Sequence, residues 1–278
     1  MLKRLFLRQA SKSPLPESRF IPMFVAGAPR SGTTILHAIV CAAEKTNGYI
    51  TECSYFTAFM HPLLVGLNTF DVHTKHYFAT REALIRNHSD ILNNELSKIW
   101  VKTGRPEVLA LKDPMLTPLI PHLAESLPRA KFVVSVRDPR ATISSRIEVA
   151  KRETRDNELA DDQVRQFCDE YVHMYGTVAN HLPTLGDRIL TVDYRDVVHG
   201  TAFDKLTAFG VGKIDNNRIW ANTIADPDRP PSDVWATDLH GKMPSVASID
   251  RYREHLDSRT EKMILDICGP VARALGAL

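Results

Sequence analysis

The sequence has no run approaching the ~20 consecutive apolar residues that cross a bilayer, and no repeat or low-complexity tract. Its four cysteines, Cys41, Cys53, Cys168 and Cys268, form no CxxC pair. That spacing excludes a disulfide framework or a cysteine zinc site and leaves buried thiols as the expectation. Charge of one sign is also lacking. A net charge of +2 does not call for nucleic acid, although a local basic cleft for a small anion fits it. The opening 1–19 is basic but has too short an apolar core for a secretion signal, so it reads as a flexible end and the chain as cytoplasmic.

What is present has an order. "FIPMFVAG" (20–27) and "AKFVVSVRDP" (130–139) read as buried strands, "EVLALKDP" (107–114) and "RILTVDYRD" (188–196) as further ones, and "YITE" (49–52) as a short one. Helical patterns alternate with them at 33–44, 117–128 (broken early by Pro121), 140–153, 161–182, 201–210 and 247–267. Continuously apolar strands alternating with helices predict an α/β domain with a parallel sheet covered on both faces. One domain over 20–278 accounts for the pattern. Its region 53–104 is a helical insert that mixes aromatics and histidines with amphipathic helix, and it can cover a site.

The most informative stretch is "FVAGAPRSGTT" (24–34). Gly27 and Gly32 have the spacing of a phosphate-binding loop, in which successive N–H groups turn inward and a helix N-terminus adds more. An ATP or GTP loop places lysine next, to reach the β and γ phosphates. Here that residue is Thr33, and the loop's cation comes earlier, at Arg30. Such a loop suits one terminal phosphate and a leaving group better than γ-phosphate transfer. A second charged strand end, "VVSVRDPRATISSR", puts Arg137 at the edge where open parallel sheets bind ligands, with Ser144 and Ser145 on the next helix. A guanidinium fork and a serine hydroxyl can hold a second phosphate.

Together these segments resemble the PAPS-dependent sulfotransferases, which use 3′-phosphoadenosine 5′-phosphosulfate (PAPS) as sulfuryl donor. The loop Pro29-Arg30-Ser31-Gly32-Thr33-Thr34 matches the family's 5′-phosphate motif, and Arg137 with Ser145 matches its 3′-phosphate motif. "LKDP" (111–114) is similar to a strand end of the tyrosylprotein and carbohydrate branches. "VDYRDVV" (192–198) resembles the family's "YEDL" segment, with Arg195 in place of an acid. The resemblance implies a single P-loop α/β domain, PAPS as donor, adenosine 3′,5′-bisphosphate (PAP) as product, no metal, and Gly27 with the loop residues in the donor site. "HGK" (240–242) is a candidate to close over the 3′-phosphate through Lys242, and Trp220 or Trp235 is a candidate to stack the purine, with ordinary core packing as the alternative for either tryptophan.

The chemistry needs a base and positive charge on the leaving phosphate. Arg30 suits the leaving group. Lys112 suits the sulfuryl group or its bridging oxygen, with an acceptor contact or a plain surface charge as the alternatives. Glu52 follows the loop as the family's glutamate base does, while His61, His73, His76 and His88 compete for that role. The expected acceptor is a hydroxyl, or an amine, of a carbohydrate or other small molecule. Two rival readings are a P-loop kinase and a noncatalytic nucleotide-binding protein.

Overall fold

The computed structural model describes residues 19–155, 159–219, 235 and 244–278. Four strands, β1 (Ile21–Ala26), β2 (Val108–Lys112), β3 (Lys131–Val136) and β4 (Ile189–Asp193), form one parallel sheet in the order β2-β1-β3-β4. Side chains alternate across it. Phe24, Leu109, Leu111, Phe132 and Val134 enter one core; Met23, Val25, Ala110, Val133 and Val192 enter the other. Burial on both faces is why the strands carry no polar alternation.

The second face is covered by α1 (Thr33–Val40), α8 (Tyr194–His199) and α9 (Ala202–Leu206). The first is covered by the insert, α5 (Ile120–Ser126), α7 (Asp161–Leu185) and α11 (Ser258–Ala274), with α6 (Pro139–Thr154) beside α7. The insert is helical as expected. It comprises α2 (Ser54–Ala58), α3 (Met60–Asn68), a 3-10 turn at Thr74–His76, and α4 (Arg81–Lys102), whose N-cap Thr80 accepts from the Ala83 N–H.

Several expected elements differ in form. Residues 49–52 do not make a strand. The chain meets the β2 edge at two isolated parallel bridges, Thr46 with Val108 and Glu52 with Lys112. Between them the Asn47 amide bonds both the N–H (2.6 Å) and the carbonyl (3.0 Å) of Ala110. A side chain stands in for the missing strand, and the sheet edge is closed without one. The 117–128 helix is split: a 3-10 segment, Pro114–Leu119, precedes α5, so Pro121 falls in a first turn where its missing N–H costs no hydrogen bond. Strand β4 ends at Asp193, which accepts from Arg195 N–H as N-cap of α8 and so stops the ladder earlier than 196. Gly210, at φ 114°, does not close a helix; α9 ends at Leu206 and continues as a π-type turn to Val211. The 247–267 region is two helices, α10 (Ala247–Asp250) and α11, the latter started by Asp257 and running to Ala274. No helix among the described residues is long and apolar enough to cross a membrane.

Candidate active site

The loop leaving β1 is shaped by its neighbours. Gly27 has φ 140°, and a Cβ there would lie 2.5 Å from the Ser135 carbonyl oxygen, so only glycine fits beside β3. The Gly27 N–H donates to Thr117 Oγ1 (2.7 Å) and the Ala28 N–H to the Tyr175 hydroxyl (3.0 Å). Arg30 adopts a left-handed conformation, φ 72°, and Gly32, φ 98°, packs so closely on Tyr194 that a Cβ would sit 2.7 Å from the ring. Helix α1 then begins with no side-chain cap, its first helical bond running from Leu36 N–H to Gly32. The N–H groups of Thr33, Thr34 and Ile35 therefore have no partner within the helix, and the helix end favours an anion.

At the end of β3, the Arg137 guanidinium lies over the Tyr194 ring at 4.2 Å. It donates to the carbonyls of Arg30 (3.2 Å) and Ser248 (2.6 Å). Burial lowers its pKa, and the nearby Tyr194 and Asp138 oppose that shift. From the other side, Arg30 Nε donates to Ser145 Oγ (3.0 Å) and its Nη1 to the Trp235 carbonyl (2.9 Å). The two predicted phosphate seats thus touch. Among the described residues, two buried polar atoms on these segments find no hydrogen-bond partner, Ser31 Oγ and Arg137 Nε. Unsatisfied donors on both strand ends, with an uncapped helix between, fit a ligand bearing two phosphate groups.

The third strand end carries Lys112. Its side chain is 2% exposed and its Nζ donates to Glu52 Oε1 at 2.8 Å. The same Nζ lies 3.4 Å from Thr34 Oγ1, on the first turn of α1. The parallel bridge to β2 sets Glu52 beside Lys112, and the Cys53 N–H bonds the Lys112 carbonyl (2.9 Å). Next to them, buried Asp113 caps Met115 N–H and accepts from Thr57 Oγ1 (2.6 Å), tying the insert to the corner. Glu52 is one-third exposed, so an acceptor can reach it.

Of the residues singled out from sequence, the structure brings Arg30, Ser145 and Arg137 together at one place, and Glu52, Lys112 and Thr34 at another. Lys242 and Trp220 lie outside the described residues. Trp235 has its ring against the Arg146 guanidinium, 5.0 Å away, so that face is already engaged. His61, His73 and His76 are on the exposed surface of the insert, and His88 is buried in α4. Arg195, the departure from the family segment, is held by two bonds to Asp193 (2.9 and 2.7 Å) and is a structural ion pair. Sequence reading missed Thr117, Tyr171, Tyr175, Tyr194 and Ser248. Tyr194 lay within the quoted family segment without being singled out, and Tyr171 and Tyr175 carried a signal of their own, an i, i+4 pair with polar tips on the buried face of a helix.

Comparison with known proteins agrees with this geometry. A model of the sulfotransferase family matches residues 22–202. Protein-tyrosine sulfotransferase 1 of Danio rerio is 29% identical over 143 residues, 50% of this chain and 39% of that protein. The protein-tyrosine sulfotransferase of Drosophila melanogaster is 27% identical over 188 residues, 65% of this chain and 36% of that protein. The chain thus spans well under half the length of these relatives. Among solved structures, the sulfotransferase domain of the Synechococcus PCC 7002 olefin synthase superposes with a TM-score of 0.52 at 18% identity, over 91% of this chain and 96% of that one. A Mycobacterium avium sulfotransferase gives 0.51 at 12% identity, over 91% and 76%. The match runs through both phosphate seats and the Glu52–Lys112 corner, and on it the chain belongs to the sulfotransferase family.

Proposed function

We propose that this protein transfers a sulfuryl group from PAPS to a hydroxyl, with Glu52 as base. The observation that carries this reading is Lys112 Nζ between Glu52 Oε1 (2.8 Å) and Thr34 Oγ1 (3.4 Å), which joins a carboxylate to the phosphate loop through one ammonium. Glu52 accepts the acceptor's proton as its oxygen attacks. Lys112 and Arg30 place positive charge where the bond to the leaving 5′-phosphate breaks and its electron pair is released. Gly27, Pro29, Ser31, Gly32, Thr33 and Thr34 shape the 5′ seat; Arg137 and Ser145 form the 3′ seat. When bound, the donor supplies the sulfuryl group and leaves as PAP. In the proposed reaction these side chains supply the positive charge and no metal takes part.

The acceptor is a carbohydrate or another small alcohol in the reading from sequence. A phenol is the second reading, and it has specific support. The relatives are protein-tyrosine sulfotransferases by name. Three residues beyond Glu52, the first turn of α2 presents Tyr55, 74% exposed and edge-on to Phe59 at 5.0 Å, an apolar surface suited to a ring. The test incubates the protein with PAPS and, in parallel, a tyrosyl peptide, a simple phenol and a set of sugars, with products read by mass. Sulfation of any of them by wild type and its loss in Glu52→Gln supports the proposal. Phosphorylation of the same acceptors with ATP and magnesium, and no sulfation, overturns it in favour of a kinase.

A further inference from the structure

Helix α7 supplies no group to the proposed chemistry, yet it reaches both phosphate seats. Tyr171 and Tyr175 stand one turn apart on its buried face, with ring centroids 4.7 Å apart in an edge-on arrangement. The Tyr175 hydroxyl accepts from the Ala28 N–H (3.0 Å) in the first loop and donates to the Ser135 carbonyl (2.6 Å) at the end of β3. The Tyr171 hydroxyl donates to the carbonyl of Arg137 (3.0 Å), in the second seat. Both side chains are buried, and burial pushes the Tyr175 hydroxyl up to about 12 and Tyr171 well above its ordinary value. Each therefore stays protonated and able to donate across the working pH range.

A phenylalanine would fill the same space at either position. The hydroxyls add the polar contacts, and those contacts tie two loops separated by more than a hundred residues to one rigid helix. The two phosphates of a 3′,5′-bisphosphate are held at a separation fixed by the ribose. A protein that prefers such a ligand to a monophosphate must keep its two seats at matching spacing before the ligand arrives; otherwise ordering the second seat cancels the gain from the second contact. We infer that Tyr171 and Tyr175 are positioning residues that set the spacing of the two seats, and with it the preference for a 3′,5′-bisphosphate over a 5′-monophosphate. This rests on the reading of the two strand ends as phosphate seats.

The test measures Kd by calorimetry for adenosine 3′,5′-bisphosphate and for adenosine 5′-monophosphate, in wild type, Tyr171→Phe, Tyr175→Phe and Val178→Ala. Val178 is a fully buried residue on the following stretch of the same helix, so its truncation loosens the core without touching a seat. Melting temperatures are recorded for all four. The ratio of the monophosphate Kd to the bisphosphate Kd should fall about tenfold in each tyrosine variant, the worth of one buried hydrogen bond. It should stay within about twofold of wild type in Val178→Ala even where the melting temperature drops as far. Tyr171→Phe should weaken the bisphosphate while leaving the monophosphate unchanged. An unaltered ratio in both tyrosine variants, or an equal fall in Val178→Ala, overturns the inference. A wild type with no preference for the bisphosphate overturns the seat reading itself, and the inference with it, so the two failures are distinct.

Discussion

Lys112→Met removes the ammonium from the centre of the proposed site and keeps a side chain of similar length at a position only 2% exposed. Two effects on stability oppose each other. The pair with Glu52, at 2.8 Å, gains roughly 6 kcal/mol of Coulomb energy at an effective dielectric of about 20. Holding an ammonium out of water costs several kcal/mol. The carboxylate left behind is one-third exposed and water can solvate it, so the net change should be within about 1 kcal/mol. Glu52→Gln is not symmetrical with it. That variant strands the buried ammonium with a neutral amide and Thr34 Oγ1 at 3.4 Å, and should cost about 2–4 kcal/mol, somewhat less than a fully buried pair because Glu52 is partly solvated. Both variants should lose catalysis: about 10²- to 10³-fold for the lost charge and about 10²- to 10⁴-fold for the lost base. Urea unfolding and single-turnover sulfuryl transfer, run on both proteins, give the comparison. A stable but inactive Lys112→Met beside a destabilised and inactive Glu52→Gln is the expected pattern. Lys112→Met within about threefold of wild-type activity would refute the role of Lys112.

Three further outcomes follow from single features. Gly27→Ala forces a Cβ to 2.5 Å from the Ser135 oxygen at φ 140° and should lower stability by about 2–4 kcal/mol, read by thermal melting; a change under about 0.5 kcal/mol contradicts the close approach. Burial first, and the Lys112 charge second, lower the His37 pKa from 6.5 to about 3. The unfolded chain therefore takes up this proton near pH 6.5 and the native one does not. Stability falls as pH drops from about 6.5 toward 3, by about 2 kcal/mol at pH 5. In urea unfolding His37→Gln should lose that much less between pH 7 and 5, and an equal loss in both proteins would discount His37. Arg137→Ala should weaken PAP binding at least about tenfold by calorimetry while Glu52→Gln leaves it nearly unchanged; equal weakening by both would collapse the separation of binding from chemistry.

The sheet was legible in the sequence because burial on both faces writes itself as unbroken apolar runs, and each run stops at a charged or glycine-rich end. That placed Gly27, Arg137 and Lys112 at one edge before any coordinates. What could not be read is how the ends are braced. Asn47 replaces a strand with its own amide, a substitution that leaves no periodic signal. Thr117 and Tyr175 clamp the first loop from 90 and 147 residues away, and nothing local marks a hydroxyl as the partner of a distant N–H. Glu52 beside Lys112 was likewise two separate expectations. Their 2.8 Å contact comes from the bridge to the β2 edge, a tertiary fact. Boundaries failed where a cap overrode the pattern, as Asp193 does when it ends β4 and starts α8.

The account turns on whether the two strand ends hold one donor. Calorimetric titration of the wild-type protein with adenosine 3′,5′-bisphosphate, against adenosine 5′-monophosphate and ATP with and without magnesium, measures that directly. Strong preference for the bisphosphate without metal is the predicted result. No binding, or a preference for ATP with magnesium, would contradict it.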